Sequence, residues 1–228
     1  EEDRLVMADG AELPLRSWPP AGVPKAVFLA LHGFNDYSLS FEEPAKHWAE
    51  SGILTYAFDQ RGFGDTRYRG LWAGEDRMID DLRTAAALIR QRHAGTPLYL
   101  VGESMGGAVV MAAAMSDDPP VSDGLILAAP AVWGREAQGP VQSGTLWLFA
   151  HTVPWLTLTG EGLNVQPSDN IEMLRKLSRD PKVIKETRVD AIWGLTNLMD
   201  LAYEAAPRLP TPTLILYGSR EDVLPDDA

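Results

Sequence analysis

The chain has 228 residues, 45% of them hydrophobic, with 20 Lys and Arg against 32 Asp and Glu and a net charge of −12. That acidity argues against a phosphate-binding face, so nucleic acid is not an expected partner, and the length suits one large α/β domain carrying an insertion. There is no cysteine, so disulfides, thiol nucleophiles and thiolate metal sites are excluded, and no apolar run approaches the roughly eighteen residues a membrane span needs.

In chain order, residues 5–7 and 13–18 flank Ala8-Asp9-Gly10 and read as an edge hairpin with Asp-Gly turn chemistry. Residues 25–31 are a continuous apolar run, the mark of a strand covered on both faces. They lead into the loop His32-Gly33-Phe34-Asn35-Asp36, followed by an amphipathic helix over 41–51. Residues 53–58 form a second buried strand, ending in Asp59-Gln60-Arg61-Gly62-Phe63-Gly64. Asp59 and Arg61 are expected to make a buried structural pair. The two glycines that follow lack the third glycine of a dinucleotide loop.

A helix over 77–93 sets Met78, Leu82, Ala85, Ala86 and Ile89 on one face. The carboxylates Glu75, Asp76, Asp80 and Asp81 read as its solvated N-terminal turn, matched to the helix dipole. No group of residues has metal-ligand spacing, so neither metal nor cofactor is expected.

The next stretch organises the rest. The apolar run 98–101 meets Gly102-Glu103-Ser104-Met105-Gly106, and small residues continue from Ala108 to Met115. This is a strand, a sharp turn and a helix with a serine at the apex. Glycines on either side let strand and helix pack closely, and the strained turn lifts the hydroxyl clear of the sheet and aims the first amides of the helix at whatever the hydroxyl attacks. Glu103 is expected to hydrogen-bond within this elbow.

Further buried strands are read at 123–130 and 213–218, giving a mainly parallel sheet with helices on both faces. Ligands in such sheets bind at the carboxyl ends of the strands, where His32, Asp59, Ser104, Pro130 and Gly218 fall. Between Pro130 and Pro207 the strand rhythm stops and large apolar residues gather. The expected organisation is a core of 1–130 and 208–228, with a helical cap over 131–207. Trp133, Trp147, Trp155 and Trp193 of the cap are the expected pocket wall.

Taken together, Leu31-His32-Gly33-Phe34, the Asp59–Gly64 segment, Gly102-Glu103-Ser104-Met105-Gly106-Gly107, the cap, and Tyr217-Gly218-Ser219-Arg220-Glu221-Asp222-Val223-Leu224-Pro225 resemble the α/β-hydrolase fold. Within it the resemblance is to the monoacylglycerol lipase and lysophospholipase branch, of serine aminopeptidase type. The resemblance implies that Ser104 is a nucleophile forming an acyl-enzyme, and that the amides of Phe34 and Met105 form an oxyanion hole. It also implies that His32 braces the loop bearing Phe34, and His32 and Gly33 are expected at the substrate pocket with the four tryptophans.

The family's acid follows a strand as Gly-x-x-Asp, with proline four residues after it. Counting from Gly218 and back from Pro225 selects Glu221, with Asp222 as the alternative. The family's histidine comes after the acid, whereas His32, His47, His93 and His151 all precede it. The expectation is therefore a base beyond Ala228 and a sheet incomplete at its C-terminal end.

The implied substrate is a small-molecule ester, in particular a monoacylglycerol or a lysophospholipid-type monoacyl lipid. Alternatives on the same fold are a short-chain carboxylesterase, a thioesterase or a peptidase. A non-catalytic binding module is the alternative of a different class. Peripheral membrane contact through Trp147 and Trp155 is a further expectation, although the acidic charge gives no help on anionic lipid. The sequence starts at Glu1, so both a cytoplasmic protein and an exported one with its leader removed fit.

Overall fold

The computed structural model describes residues 2–135, 138–159, 169–210 and 212–218. Strands β1 (Glu2–Val6) and β2 (Glu12–Trp18) form the expected antiparallel hairpin. Its turn is closed by the Met7 amide on the Ala11 carbonyl at 2.8 Å, with Gly10 at φ 80°. Next come β3 (Ala26–Leu31), helix α1 (Glu42–Glu50), β4 (Ile53–Phe58), α2 (Glu75–Arg92), β5 (Leu98–Glu103), α3 (Met105–Ala114) and β6 (Gly124–Ala128). The segment beyond β6 holds α4 (Pro140–Thr152), β7 (Thr157–Thr159), α5 (Ile171–Arg179), β8 (Glu186–Arg188) and α6 (Val189–Ala205), before β9 (Thr213–Leu216).

The main sheet has seven strands in the order β1-β2-β4-β3-β5-β6-β9. From β4 to β9 every pairing is parallel, and β2 joins β4 antiparallel. Strand β3 shows why its sequence is apolar throughout. Val27, Leu29 and Leu31 enter the larger core under α2, α3 and α6, while Phe28 and Ala30 enter a second core with Phe41 and Trp48. The Trp48 ring of α1 meets Phe28 edge-on at 5.1 Å.

Three features depart from the sequence reading. Asp59 and Arg61 are not each other's partners. The buried Asp59 carboxylate pairs with Arg16 at 3.4 Å and accepts from the amides of Ser38 and Asp65. Arg61 instead forks onto Asp81 at 2.6 and 2.9 Å and reaches Asp9 at 2.8 Å. Asp81 therefore is not a solvated dipole residue but a buried anchor, 3% exposed. The insertion also contains a two-stranded antiparallel ribbon, β7 with β8. Its last helix, α6, sends Leu198, Ala202 and Ala205 into the main core beside α3.

Candidate active site

Strand β5 ends at Glu103 and α3 begins at Met105, leaving Ser104 alone at the turn with φ 50° and ψ −116°. A non-glycine residue there is strained by about 1–3 kcal/mol, held only because its surroundings over-determine it. The surroundings are explicit. The Ser104 amide donates to the Ala128 carbonyl at 3.0 Å, and the Ser104 carbonyl accepts from the amides of Ala108 (3.1 Å) and Ala131 (3.0 Å).

Glycine is required beside it. A Cβ on Gly102 would lie 2.6 Å from the Gly106 carbonyl oxygen, and one on Gly106 would collide with the backbone carbonyl of Leu31. Met105, fully buried, opens α3, so its N–H has no acceptor inside the helix.

The loop after β3 stands beside the elbow. Phe34 packs edge-on against Phe63 at 5.8 Å and Trp72 at 6.3 Å. Asn35 takes φ 66°, its side chain donating to Thr187 Oγ1 at 2.7 Å and its carbonyl accepting from the Ile184 amide at 2.9 Å. The oxyanion-loop candidate is thus pinned to the β8 arm of the insertion.

His32 lies beneath this loop with no exposed surface. Its Nδ1 is 2.8 Å from the Gly33 carbonyl, and its Nε2 accepts from the Gln60 amide at 3.0 Å. Both ring nitrogens are committed, as a neutral Nδ1–H tautomer requires. Burial pushes the ring's pKa down to about 4, against the opposing pull of the Gly33 carbonyl and Asp59.

A cavity of about 940 Å³ opens over Ser104. Gly33, Phe34 and Asp36 after β3, Glu103 at the end of β5 and Ala129 after β6 line it; Trp133, Phe149, Leu156, Ile192, Leu195 and Met199 supply apolar surface, and Gln138, Gln142, Thr145 and Thr196 stand among them. Trp133 and Gly33 thus reach the cavity. His32 sits behind its lining, and Trp147, Trp155 and Trp193 are not part of the wall. Trp147 and Trp155 are 52% and 64% exposed on the outside of the insertion. Trp193 is taken up by Arg135, whose guanidinium lies 4.0 Å over the ring, and by His151 edge-on at 5.5 Å.

Two cavity residues escape motif reading. Ala129 adopts φ 41° directly after β6, and nothing in its identity signals that. Asp36 is half-buried in the cavity wall. Burial raises its carboxyl pKa to about 6, with Asp180 and Asp59 adding to the effect and the Tyr37 amide opposing it.

No histidine lines the cavity. His47 is on the solvent side of α1, His93 caps α2 against Tyr56 at 2.9 Å, and His151 turns back on its own helix to the Trp147 carbonyl at 2.7 Å. Glu221 and Asp222 lie outside the described residues. Among the described residues no cluster of His, Asp and Glu could hold a metal, and no helix is long and apolar enough to cross a membrane.

A seven-stranded, mainly parallel sheet with a strained serine between strand and helix is the α/β-hydrolase fold. The family model for serine aminopeptidase S33 matches residues 22–228, and the chain belongs to this family of serine hydrolases. It is 28% identical to the monoglyceride lipase of Homo sapiens over 232 residues, covering 95% of this chain and 72% of that protein. Among solved structures it is similar to a soluble variant of monoglyceride lipase from Saccharomyces cerevisiae bound to a substrate analog. That match has a TM-score of 0.76 and 21% identity, covering 96% of this chain and 76% of the other. A thermostable carboxyl esterase from Bacillus coagulans in complex with glycerol matches with a TM-score of 0.71 and 18% identity, over 94% and 77% of the two chains.

Proposed function

We propose that this chain cleaves carboxylic esters of monoacyl lipids, monoacylglycerols foremost, through an acyl-enzyme on Ser104. The observation that carries the reading is the 940 Å³ cavity that Ser104 lines together with mostly apolar residues of α4 and α6. Leu146, Phe149, Ile192, Leu195 and Met199 offer an acyl chain apolar surface, and Gln142, Thr145 and Thr196 offer hydrogen-bonding groups to the rest of the ester.

In this mechanism Ser104 attacks the ester carbonyl, and the amides of Phe34 and Met105 receive the oxyanion. Such donors are each worth roughly 3–4 kcal/mol in the transition state. His32 supports the loop bearing Phe34 and takes no proton, since both its nitrogens are engaged. Glu221, with Asp222 as alternative, orients the base. That base is not one of the four histidines described above. The division into a core and an insertion that covers the serine is part of the same proposal, as is membrane contact through the outward Trp147 and Trp155. Unbound protein in a liposome flotation would remove that contact.

The test is kcat/KM for glycerol monoesters from acetyl to palmitoyl, using the complete reading frame beside Ser104→Ala. Rates that rise with chain length and vanish in the control support the proposal. Activity confined to the shortest esters assigns a short-chain esterase. A binding module has one observation in its favour, the absence of histidine from the cavity wall, and failure of a fluorophosphonate probe to label Ser104 would support it.

A further inference from the structure

The turn that carries the Phe34 amide is held from two sides. The Asp36 amide donates to the Gly33 carbonyl at 3.3 Å, closing a four-residue turn with Phe34 and Asn35 at its centre. His32 Nδ1 lies 2.8 Å from the same carbonyl, so the first residue of the turn is fixed from the core. The third residue, Asn35, takes φ 66°. A positive φ there is what a type II turn requires, and asparagine is one of the few residues that accept it.

The second hold comes from the residues that precede α6. Asn35 Nδ2 donates to Thr187 Oγ1 at 2.7 Å, and the Asn35 carbonyl accepts from the Ile184 amide at 2.9 Å. Two residues on, the Tyr37 hydroxyl donates to Asp180 at 2.7 Å, and Lys182 pairs with Asp65. Residues 180–187 thus form a strap across the turn. Neither Asn35 nor Thr187 is among the described residues that line the 940 Å³ cavity. Any effect they have on a ligand at Ser104 therefore passes through the backbone of the turn.

We propose that Asn35 and Thr187 are positioning residues that set the Phe34 amide for an oxyanion at Ser104. The inference rests on the ester-cleaving reading above and divides the two oxyanion donors by origin. The Met105 amide is placed by the elbow itself, at the start of α3. The Phe34 amide is placed by a contact between residues 152 apart in sequence, and it comes into register when the 180–187 strap is docked. An oxyanion donor has to stand about 2.7–3.1 Å from its target, and a displacement of about 1 Å can cost ~100-fold in rate. One hydroxyl outside the cavity is therefore enough to tune the reaction.

The experiment measures kcat and KM for p-nitrophenyl butyrate with the complete reading frame, as wild type, Thr187→Val, Thr187→Ser and Asn35→Gly. Thr187→Val keeps the shape of the side chain and removes the hydroxyl. Asn35→Gly keeps the positive φ accessible and removes the donor, so one variant stands in if the other does not fold. Each should lower kcat per folded molecule at least about tenfold with KM within about twofold. Thr187→Ser, which keeps the hydroxyl, should hold kcat within about threefold of wild type. The affinity of butylboronic acid, whose tetrahedral adduct on a serine places an oxygen in the hole, should fall in step with kcat/KM.

A merely structural contact would lower the melting temperature of Thr187→Val and leave kcat per folded molecule as in the wild type, and that result would overturn the inference. So would a rise in KM at unchanged kcat. A wild type that turns over while Thr187→Val and Asn35→Gly match it sinks this inference alone. A wild type that neither cleaves the ester nor reacts with a fluorophosphonate sinks the hydrolase reading, and this inference with it.

Discussion

The backbone amide of Gln60 donates to Nε2 of His32 at 3.0 Å, while the Gln60 side chain donates to the His32 carbonyl at 2.8 Å. Two adjacent strand ends are thereby tied through one histidine that is held neutral. Its folded pKa, about 4, lies below the ordinary histidine value of 6.5, so between those values the unfolded chain binds more protons than the native one. His32 therefore favours the fold above pH 6.5, and this contribution is lost as pH falls toward 4. The loss amounts to about 3 kcal/mol at most. Denaturant titrations of His32→Gln across pH 4–7 should show less acid sensitivity than the wild type. An unchanged slope would mean that the ring titrates normally.

Asp36 works in the opposite direction. Its folded pKa of about 6 exceeds the ordinary aspartate value of 3.8, so its ionisation costs stability above pH 6 and the cost is relieved as pH falls through the window. Asp36→Asn should stabilise the protein at pH 8 by about 2 kcal/mol, discounted for partial exposure, and by nothing near pH 4. Thermal melts at the two pH values check this. Equal shifts at both would remove the electrostatic explanation.

Ser104 is held at φ 50° by the elbow. Ser104→Gly should raise stability by about 1 kcal/mol, as relief of strain exceeds the added entropy of the unfolded chain. Ser104→Ala, which keeps a Cβ, should not. Both variants should be inert to a fluorophosphonate probe, so a melt of the pair separates strain from chemistry.

Gly106→Ala sets a Cβ into the Leu31 carbonyl. The clash is between two backbones and no side chain can swing clear of it. A loss of about 3 kcal/mol or more, or failure to accumulate folded protein, is expected. A measured loss below 1 kcal/mol would mean that strand and helix can separate at the elbow.

Joint replacement of His47, His93 and His151 by Gln should leave kcat/KM of the complete reading frame within about twofold of wild type, because none borders the cavity. A collapse of turnover would make one of them the base.

The sheet and the elbow were legible because each is written in local pattern. Apolar runs such as Ala26–Leu31 are covered on both faces, and the glycines flanking Ser104 are demanded by contacts within one strand–turn–helix unit. Partnerships across the fold were not. Asp59 and Arg61 are two residues apart yet point to different neighbours, a choice made by β2 and α2 arriving from elsewhere.

Asp81 did carry a signal. It lies on the same stripe as Met78, Leu82 and Ala85, where a carboxylate needs a partner. Trp193 shows the limit of judging by residue size. Ile192, Leu195 and Met199 share the cavity-facing stripe of α6, and Trp193 is turned roughly 100° away from Ile192.

Helix α6 has a double allegiance. Leu198, Ala202 and Ala205 are bolted to the interior next to the helix that follows Ser104, and the adjoining stripe of Ile192, Leu195 and Met199 lines the cavity, with Met199 belonging to both. For the monoacyl substrate proposed above, the gauge that measures the chain would therefore be fixed to the same block as Ser104, independently of α4 and the β7–β8 ribbon. A chimera that exchanges α4 and the ribbon for those of a relative but keeps α6 should change how fast substrates enter while preserving the rank order of chain lengths.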